Sequence, residues 1–195
     1  MLIEREILFS ILAFIITFWT QIIYWHGILR GDIIPHPFSM FIWVVVLGIS
    51  SIELVARGEY LWSISIIFIT MNTFFAMLVG MYWWKRIISN RMDWFFLFSG
   101  IFLIIFWRLE PNYTYVLFIM MAIDATAYAS SFKKAWLQPW TEKSLPYFLS
   151  IGSYLCTIFS ISVWNFENIA LWVWTASVNL VFACFIVIRQ YHIKK

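Results

Sequence analysis

This sequence has few charged residues for its length. Lys, Arg, Asp and Glu together make up only 12% of its 195 residues, whereas soluble domains carry roughly 25%. The longest polar connection is the stretch 134–144. Hydrophobic residues account for 63% of the chain. This balance excludes a soluble domain and indicates a helical protein that crosses a membrane several times.

Cysteine is scarce as well. Cys156 and Cys184 are the two cysteines of the chain, and both fall in apolar segments, where they act as small apolar side chains. They form neither a disulfide framework nor a zinc pattern. His26 and His36 flank the first connection close to the surface, without carboxylate or cysteine partners. We therefore expect no metal, haem or other cofactor.

Apolar stretches near 20 residues recur along the whole chain, and they predict an all-α fold with seven transmembrane helices. The first stretch follows no basic region and precedes no small-residue cleavage site, so we expect it to be retained. The predicted spans are 7–25, 38–57, 60–83, 93–109, 112–133, 145–164 and 168–189.

The distribution of Lys and Arg predicts the orientation. Three lie on the side of the N-terminus and ten on the other side. The positive-inside rule then places the N-terminus outside and the C-terminus in the cytoplasm. On this reading the net charge of +3 reflects topology and not a nucleic-acid partner, and the Lys133–Lys134 pair is a positive-inside signal near lipid headgroups.

Two independent offsets indicate an internal repeat. Asn72 and Asn179 lie 107 positions apart in similar apolar contexts, and Pro37 and Pro146 lie 109 apart at the starts of spans 2 and 6. A chain that crosses the membrane three times ends on the side opposite to its start. A fourth, linking helix is therefore needed for a second three-helix unit to have the same orientation as the first. The predicted units are 1–90 and 111–195, joined by 91–110, in a 3+1+3 arrangement.

Four polar residues fall in one layer near the predicted midplane. At about 1.5 Å per residue, Asn72, Asn179 and Asp124 lie roughly 17–18 Å from the outer face and Tyr154 roughly 14 Å from the inner face. Buried amides need protein partners or a polar cavity. The asparagines therefore predict a shared ligand site, with interhelical hydrogen bonds as the alternative.

Asp124 is the only acid at this depth, and an intramembrane acid is a functional candidate. It predicts proton coupling or pairing with a cationic substrate. The alternative is a neutral aspartate bonded to a neighbouring serine or to Tyr154. Trp43 is either a stacking wall or an interfacial anchor, and tryptophans at span ends, Trp107 among them, are read as anchors. The further predicted cavity residues are Ser50, Ser153 and Thr175, and the predicted gate residues are Gln21, Tyr24, Pro37 and Pro146.

The layout resembles the SWEET and PQ-loop transporters over nearly the whole chain. The segments that carry the resemblance are Thr20-Gln21-Ile-Ile-Tyr24, Gly27-Ile-Leu-Arg30-Gly31, Pro37-Phe-Ser39 and Ser131-Phe132-Lys133-Lys134-Ala135. Thr20 and Ser131 replace the proline of the PQ pair. The resemblance implies a divergent bacterial branch, a location in the plasma membrane, and sugar-binding asparagines that match Asn72 and Asn179. Proton-coupled PQ-loop carriers such as cystinosin have an aspartate on the helix that holds Asp124.

The leading function is therefore transport of a small polar solute by alternating access: a sugar first, then an amino acid or a vitamin-like nucleoside. A receptor of the same fold is the alternative, because the KDEL receptor resembles this plan and signals instead of transporting. An enzyme is not expected, since one midplane aspartate without a histidine, a second acid or a metal set lacks a catalytic partner. The sequence leaves the oligomeric state open.

Overall fold

A computed structural model describes residues 2–56, 60–88, 91–110 and 112–193. Across these ranges the protein is all-helical with seven α-helices, which confirms the predicted class and helix number. Two single turns of 3₁₀-helix, Trp84–Arg86 and Pro139–Thr141, lie in connections. The α-helices are α1 Leu2–Leu29, α2 Pro37–Ala56, α3 Tyr60–Tyr82, α4 Arg91–Leu109, α5 Tyr113–Leu137, α6 Leu145–Ser160 and α7 Phe166–His192.

Four of these helices, α1, α4, α5 and α7, are long and apolar enough to cross a membrane. Within the described residues the other three contain shorter apolar stretches, Pro37–Ile52, Ile66–Tyr82 and Leu145–Ser160. Large apolar side chains lie exposed along the outer faces of the helices, for example Ile7 at 55% on α1 and Phe102 at 66% on α4. These features are consistent with a membrane protein.

Capping residues account for the helix starts that hydropathy located only approximately. The Asn112 side chain accepts hydrogen bonds from the Thr114 and Tyr115 amides at 3.0 and 3.3 Å, and α5 begins directly after it. The Asn165 side chain accepts from the Asn168 amide at 2.8 Å and begins α7. Helix α6 ends at Ser160, earlier than the predicted 164. The apolar residues that follow form the turn into this cap, and hydropathy cannot distinguish them from helix.

The helices pack across the two halves of the chain. We call the end at which α1, α3, α5 and α7 terminate the lower end, and the opposite end the upper end. Helix α1 packs on α6, and α2 packs on α5. The neighbours α2 and α3 pack together, as do α6 and α7. The two sets of three helices make equivalent contacts: α1 on α6 corresponds to α5 on α2, and α2 on α3 corresponds to α6 on α7.

Two glycines shape the connection between α1 and α2 at the lower end. Gly31 has φ +74°, a left-handed conformation that costs glycine little. Gly80 of α3 lies against this connection, because a Cβ added to it would be only 2.6 Å from the Pro35 carbonyl oxygen. Ile33, Ile34 and His36 of this connection are buried, and Ile33 packs in a cluster with Ala76 of α3.

Candidate functional site

A central cavity of about 780 Å³ lies between the helices. Its wall runs from Arg108 and Glu110 at the upper end to Pro146 and Tyr147 near the lower end. Ten of the residues predicted from the sequence line it: Gln21, Tyr24, Trp43, Ser50, Asn72, Asp124, Pro146, Tyr154, Thr175 and Asn179. Tertiary packing thus brings together side chains from six different helices.

Two predicted residues lie off the cavity wall. The Ser153 hydroxyl is 2.6 Å from the Thr17 hydroxyl and donates to the Ala13 carbonyl at 3.0 Å, so it joins α6 to α1. These bonds turn the Ser153 side chain towards α1 and away from the cavity that Tyr154 lines. Pro37 is buried beside Gly80 at the start of α2. The prediction that Ser153 lines the cavity needs this correction, whereas the gate role of Pro37 stays a prediction.

Asp124 is held by two tryptophans. Trp43 Nε1 donates to one carboxyl oxygen at 2.9 Å, and Trp174 Nε1 donates to the other at 3.1 Å. The sequence suggested a serine or Tyr154 as the hydrogen-bond partner of Asp124, whereas both of these bonds come from tryptophans. Sequence reasoning missed Trp174. This residue lies eight positions after Phe166, the first residue of α7, and hence about 12 Å along the helix. That depth is too great for an interfacial anchor and could have singled it out.

The two asparagines make the same backbone contact but differ at their carbonyl oxygens. Asn72 Nδ2 donates to the Phe68 carbonyl at 2.7 Å, and Asn179 Nδ2 donates to the Thr175 carbonyl at 2.8 Å. The Asn72 carbonyl also accepts from Trp25 Nε1 at 2.9 Å, which links α3 to α1. Asn72 therefore forms an interhelical hydrogen bond, which was the alternative to a ligand site, and it also lines the cavity.

Aromatic side chains form much of the cavity wall around Asp124. The ring of Trp43 meets that of Tyr128 edge-on at 5.1 Å between centroids, and Tyr154 packs on Trp172 at 6.2 Å. Sequence reasoning missed Tyr128, Trp172 and Tyr147. It also read Trp107 as an interfacial anchor, whereas this side chain is 6% exposed and lines the cavity. A wall that combines aromatic rings with polar side chains is typical of small-molecule sites.

A buried ion pair lies beneath the cavity. Lys134 pairs with Glu142, and its ammonium also donates to the Ile34 carbonyl in the connection between α1 and α2. Tyr147, which lines the cavity floor, donates its hydroxyl to Glu142 at 3.2 Å. Lys134 is 2% exposed, so the expectation that it lies near lipid headgroups is wrong, whereas its role as a positive-inside signal stays a prediction. The partner carboxylate compensates for the burial of its charge.

A second buried cluster joins α4 to α5 beside the first. Lys133 pairs with Asp93, and His36 Nε2 lies 3.6 Å from the other oxygen of that carboxylate. The expectation that His36 lies near the surface without a carboxylate partner is wrong, because it is 1% exposed and lies beside Asp93. Burial, reinforced by the positive charge of Lys134, lowers the pKa of His36 from 6.5 to about 3.

A smaller cavity of about 320 Å³ lies between α1 and α3. Gln21 and Asn72 line both this cavity and the central one. The hydrogen bond from Trp25 to Asn72 crosses the boundary between the two, since Trp25 lines only the smaller one. Asn72 is thus a wall residue at the edge of the central site, whereas Asn179 lies deeper and is 2% exposed.

The donor set of the described residues offers no metal site, because no group of three or more His, Cys, Asp or Glu side chains comes together there. Comparisons with protein-family models, with curated proteins and with solved structures gave no match to this chain. The site must therefore be interpreted from its own chemistry.

Proposed function

We propose that this chain is an integral membrane transporter that moves a small polar solute by alternating access. The supporting observation is the central cavity, which is lined by Asp124, Asn179 and aromatic rings and is enclosed by both halves of the chain. In the proposed arrangement, units 1–90 and 111–195 rock about this cavity with 91–110 as linker, the N-terminus lies outside and the lower end faces the cytoplasm.

The lengths and surfaces of the helices support a location in the membrane. Exposed side chains such as Phe18, Phe98 and Leu180 would face water in a soluble protein, where contiguous apolar patches of this extent are rare. In a bilayer the same side chains contact lipid. All seven helices are proposed to span, with the shorter α6 covering about 24 Å by its 16 residues.

Closure at one end supports alternating access. The cavity reaches Arg108, which is exposed at the upper end. At the lower end, the Ile34 amide donates to the Thr141 carbonyl at 3.0 Å, and Lys134 donates to the Ile34 carbonyl. These bonds join the first half of the chain to the second beneath the cavity floor. The proposed transport cycle breaks them and closes the upper end.

The resemblance to SWEET and PQ-loop carriers favours a sugar, then an amino acid or a vitamin-like nucleoside. Asn179 and Tyr154 supply polar contacts, Trp43 packs on the solute, and Asp124 recognises charge or couples transport to protons. Proton coupling requires that the Asp124 carboxylate be reached from both sides in turn. Its position midway along the cavity wall is compatible with that requirement.

Uptake into proteoliposomes tests this proposal. The protein is reconstituted and given labelled sugars, amino acids, nucleosides and amines, with and without an inward proton gradient. We expect uptake of one class, and we expect the Asn72→Ala/Asn179→Ala variant to lose it. Gradient-dependent uptake that disappears in Asp124→Asn is the result expected for proton coupling.

A disulfide across the lower end tests alternating access itself. Ile34→Cys and Thr141→Cys are introduced after Cys156 and Cys184 are replaced by alanine. The two backbones share a hydrogen bond of 3.0 Å, so the two positions are close enough for an engineered disulfide to be attempted. Oxidation should abolish uptake and reduction should restore it, while each single-cysteine variant transports under both conditions. Solute binding without uptake by folded wild-type protein would instead identify a receptor.

A further inference from the structure

The charges along the central cavity are unevenly distributed. Arg108 and Glu110, of opposite sign, lie at its upper rim. Asp124 lies about 17 Å further along the axis of α5 from its first residue. Among the lining residues of the described chain no other Lys, Arg, His, Asp or Glu occurs. The middle of the cavity therefore carries one acidic group without a basic side chain on the surrounding wall.

The partners of Asp124 favour its ionised form. Indole N–H groups can donate hydrogen bonds but cannot accept them. Trp43 and Trp174 each donate to a different oxygen of the carboxyl group, an arrangement that suits a carboxylate. A carboxylic acid would also have to place its own O–H on an acceptor. A buried carboxylate needs compensating positive charge, and here the bound solute can supply it.

The rings around Asp124 suit a cation for a second reason. Trp43, Tyr128, Tyr154 and Trp172 line the same cavity, and the faces of such rings attract ammonium groups. Neutral polyols, by contrast, require many free polar side chains. Each asparagine amide uses one N–H on its own helix, at the Phe68 and Thr175 carbonyls. Several wall hydroxyls likewise donate to carbonyls four residues earlier on their own helices, at Thr20, Thr73, Ser150 and Thr175. The wall thus offers more for a positive charge on an apolar body than for a set of hydroxyl groups.

From this geometry we propose that Asp124 and its aromatic surround bind an organic cation, a quaternary or protonated amine carried on an apolar or ring-shaped body. This inference rests on the proposed function and names its substrate class. A cavity of about 780 Å³ accommodates a ring as well as the cationic group. Tyr24 supports a ligand near the floor, because its buried hydroxyl has no hydrogen-bond partner among the described residues.

Matched pairs of ligands test the inference. Purified protein in detergent is titrated with choline and with 3,3-dimethylbutanol, its neutral analogue in which carbon replaces nitrogen. Benzyltrimethylammonium and neopentylbenzene form the second pair, related by the same replacement. Binding is followed by calorimetry and by tryptophan fluorescence. We expect at least one cation to bind about tenfold or more tightly than its neutral analogue.

Three variants assign the selectivity to the carboxylate. Asp124→Asn keeps the size of the side chain but removes its charge, and it should lose the preference for the cation. Asp124→Glu retains the charge and should keep part of the preference. Asp32→Asn is the control, because Asp32 is a half-exposed carboxylate at the lower end that pairs with Lys143 at 3.4 Å. Each variant is first shown to be folded and monodisperse.

The outcomes separate this inference from the transporter proposal. Equal binding of cations and neutral analogues, failure of folded protein to bind either cation, or unchanged selectivity in Asp124→Asn would overturn the inference. Uptake of a neutral sugar without cation binding refutes it and leaves the transporter standing. Cation binding that depends on Asp124, without uptake into proteoliposomes, supports the inference and refutes transport.

Discussion

Asn72 and Asn179 each donate a side-chain hydrogen bond to the carbonyl four residues earlier on their own helix, at 2.7 and 2.8 Å. The two residues thus adopt the same local geometry on α3 and α7. They differ in that the carbonyl oxygen of Asn72 also accepts from Trp25 on α1. The matched sequence context is accompanied by matched local structure, but the second partners differ: Trp25 on α1 for Asn72, and Tyr128 on α5 for Asn179.

That difference predicts unequal effects of alanine substitution. Asn179→Ala should raise the apparent KM of the transported solute about tenfold, because it removes a polar contact from the enclosed part of the cavity. Asn72→Ala should change KM less but lower thermal stability, because Trp25 loses its acceptor. Uptake kinetics and thermal unfolding of both variants measure the two effects. A larger KM change in Asn72→Ala would contradict this assignment.

The buried pair at the lower end predicts a large loss of stability in Lys134→Met. Removing the ammonium leaves Glu142 buried without its partner, which costs about 3–5 kcal/mol. The double variant Lys134→Met/Glu142→Gln should recover part of that loss. Lys143→Met is the control: its pair with Asp32 is half exposed, so the cost should stay below about 1 kcal/mol. Unfolding in detergent measures all three, and equal losses in the two single variants would refute the prediction.

His36 predicts a pH dependence of stability. Its pKa is about 3 in the folded protein and about 6.5 when unfolded. Between these values only the unfolded state binds the proton, so the free energy of unfolding falls by about 1.4 kcal/mol for each unit by which the pH drops. Above pH 6.5 this contribution is fully present.

His36→Asn should lack this component of the pH dependence. The charged groups that face His36 are Asp93, Lys133 and Lys134, and they remain in the variant. The difference between wild type and variant, measured by unfolding from pH 7 to pH 4, therefore isolates the histidine. His192→Asn, which replaces an exposed histidine at the end of α7, controls for the substitution itself. Parallel curves for wild type and His36→Asn would show that His36 makes no such contribution.

Gly80 predicts a steric effect on the packing of the lower end. An added methyl group would lie 2.6 Å from the Pro35 carbonyl, and the backbone cannot yield easily. Gly80→Ala should therefore destabilise the protein by about 1–3 kcal/mol. Gly48→Ala is the matched control, because nothing lies within 4 Å of an added Cβ there. It should be neutral or stabilising by about 0.5–1 kcal/mol. A neutral Gly80→Ala would contradict the close approach.

Much of the candidate site was accessible from the sequence because depth along a helix follows from residue number. Counting residues from the predicted span ends places Asp124, Asn179 and Tyr154 in one layer, and all three line the cavity. Direction around a helix was less accessible. Ser153 was expected beside Tyr154 but faces α1, because only the packing partner decides which way each face of α6 points.

The sequence by itself determined the all-helical class, the seven helices and the scarcity of polar groups, because hydrophobic length and polarity act locally along the chain. Tertiary structure alone decided that Trp174 joins Trp43 at Asp124, and that Lys134 is buried with Glu142 instead of facing water. The physical reason is that a polar or charged side chain can be satisfied by any suitable partner that folding brings within reach. Residues 50 positions apart along the chain, such as Asp124 and Trp174, become partners only when α5 and α7 pack together.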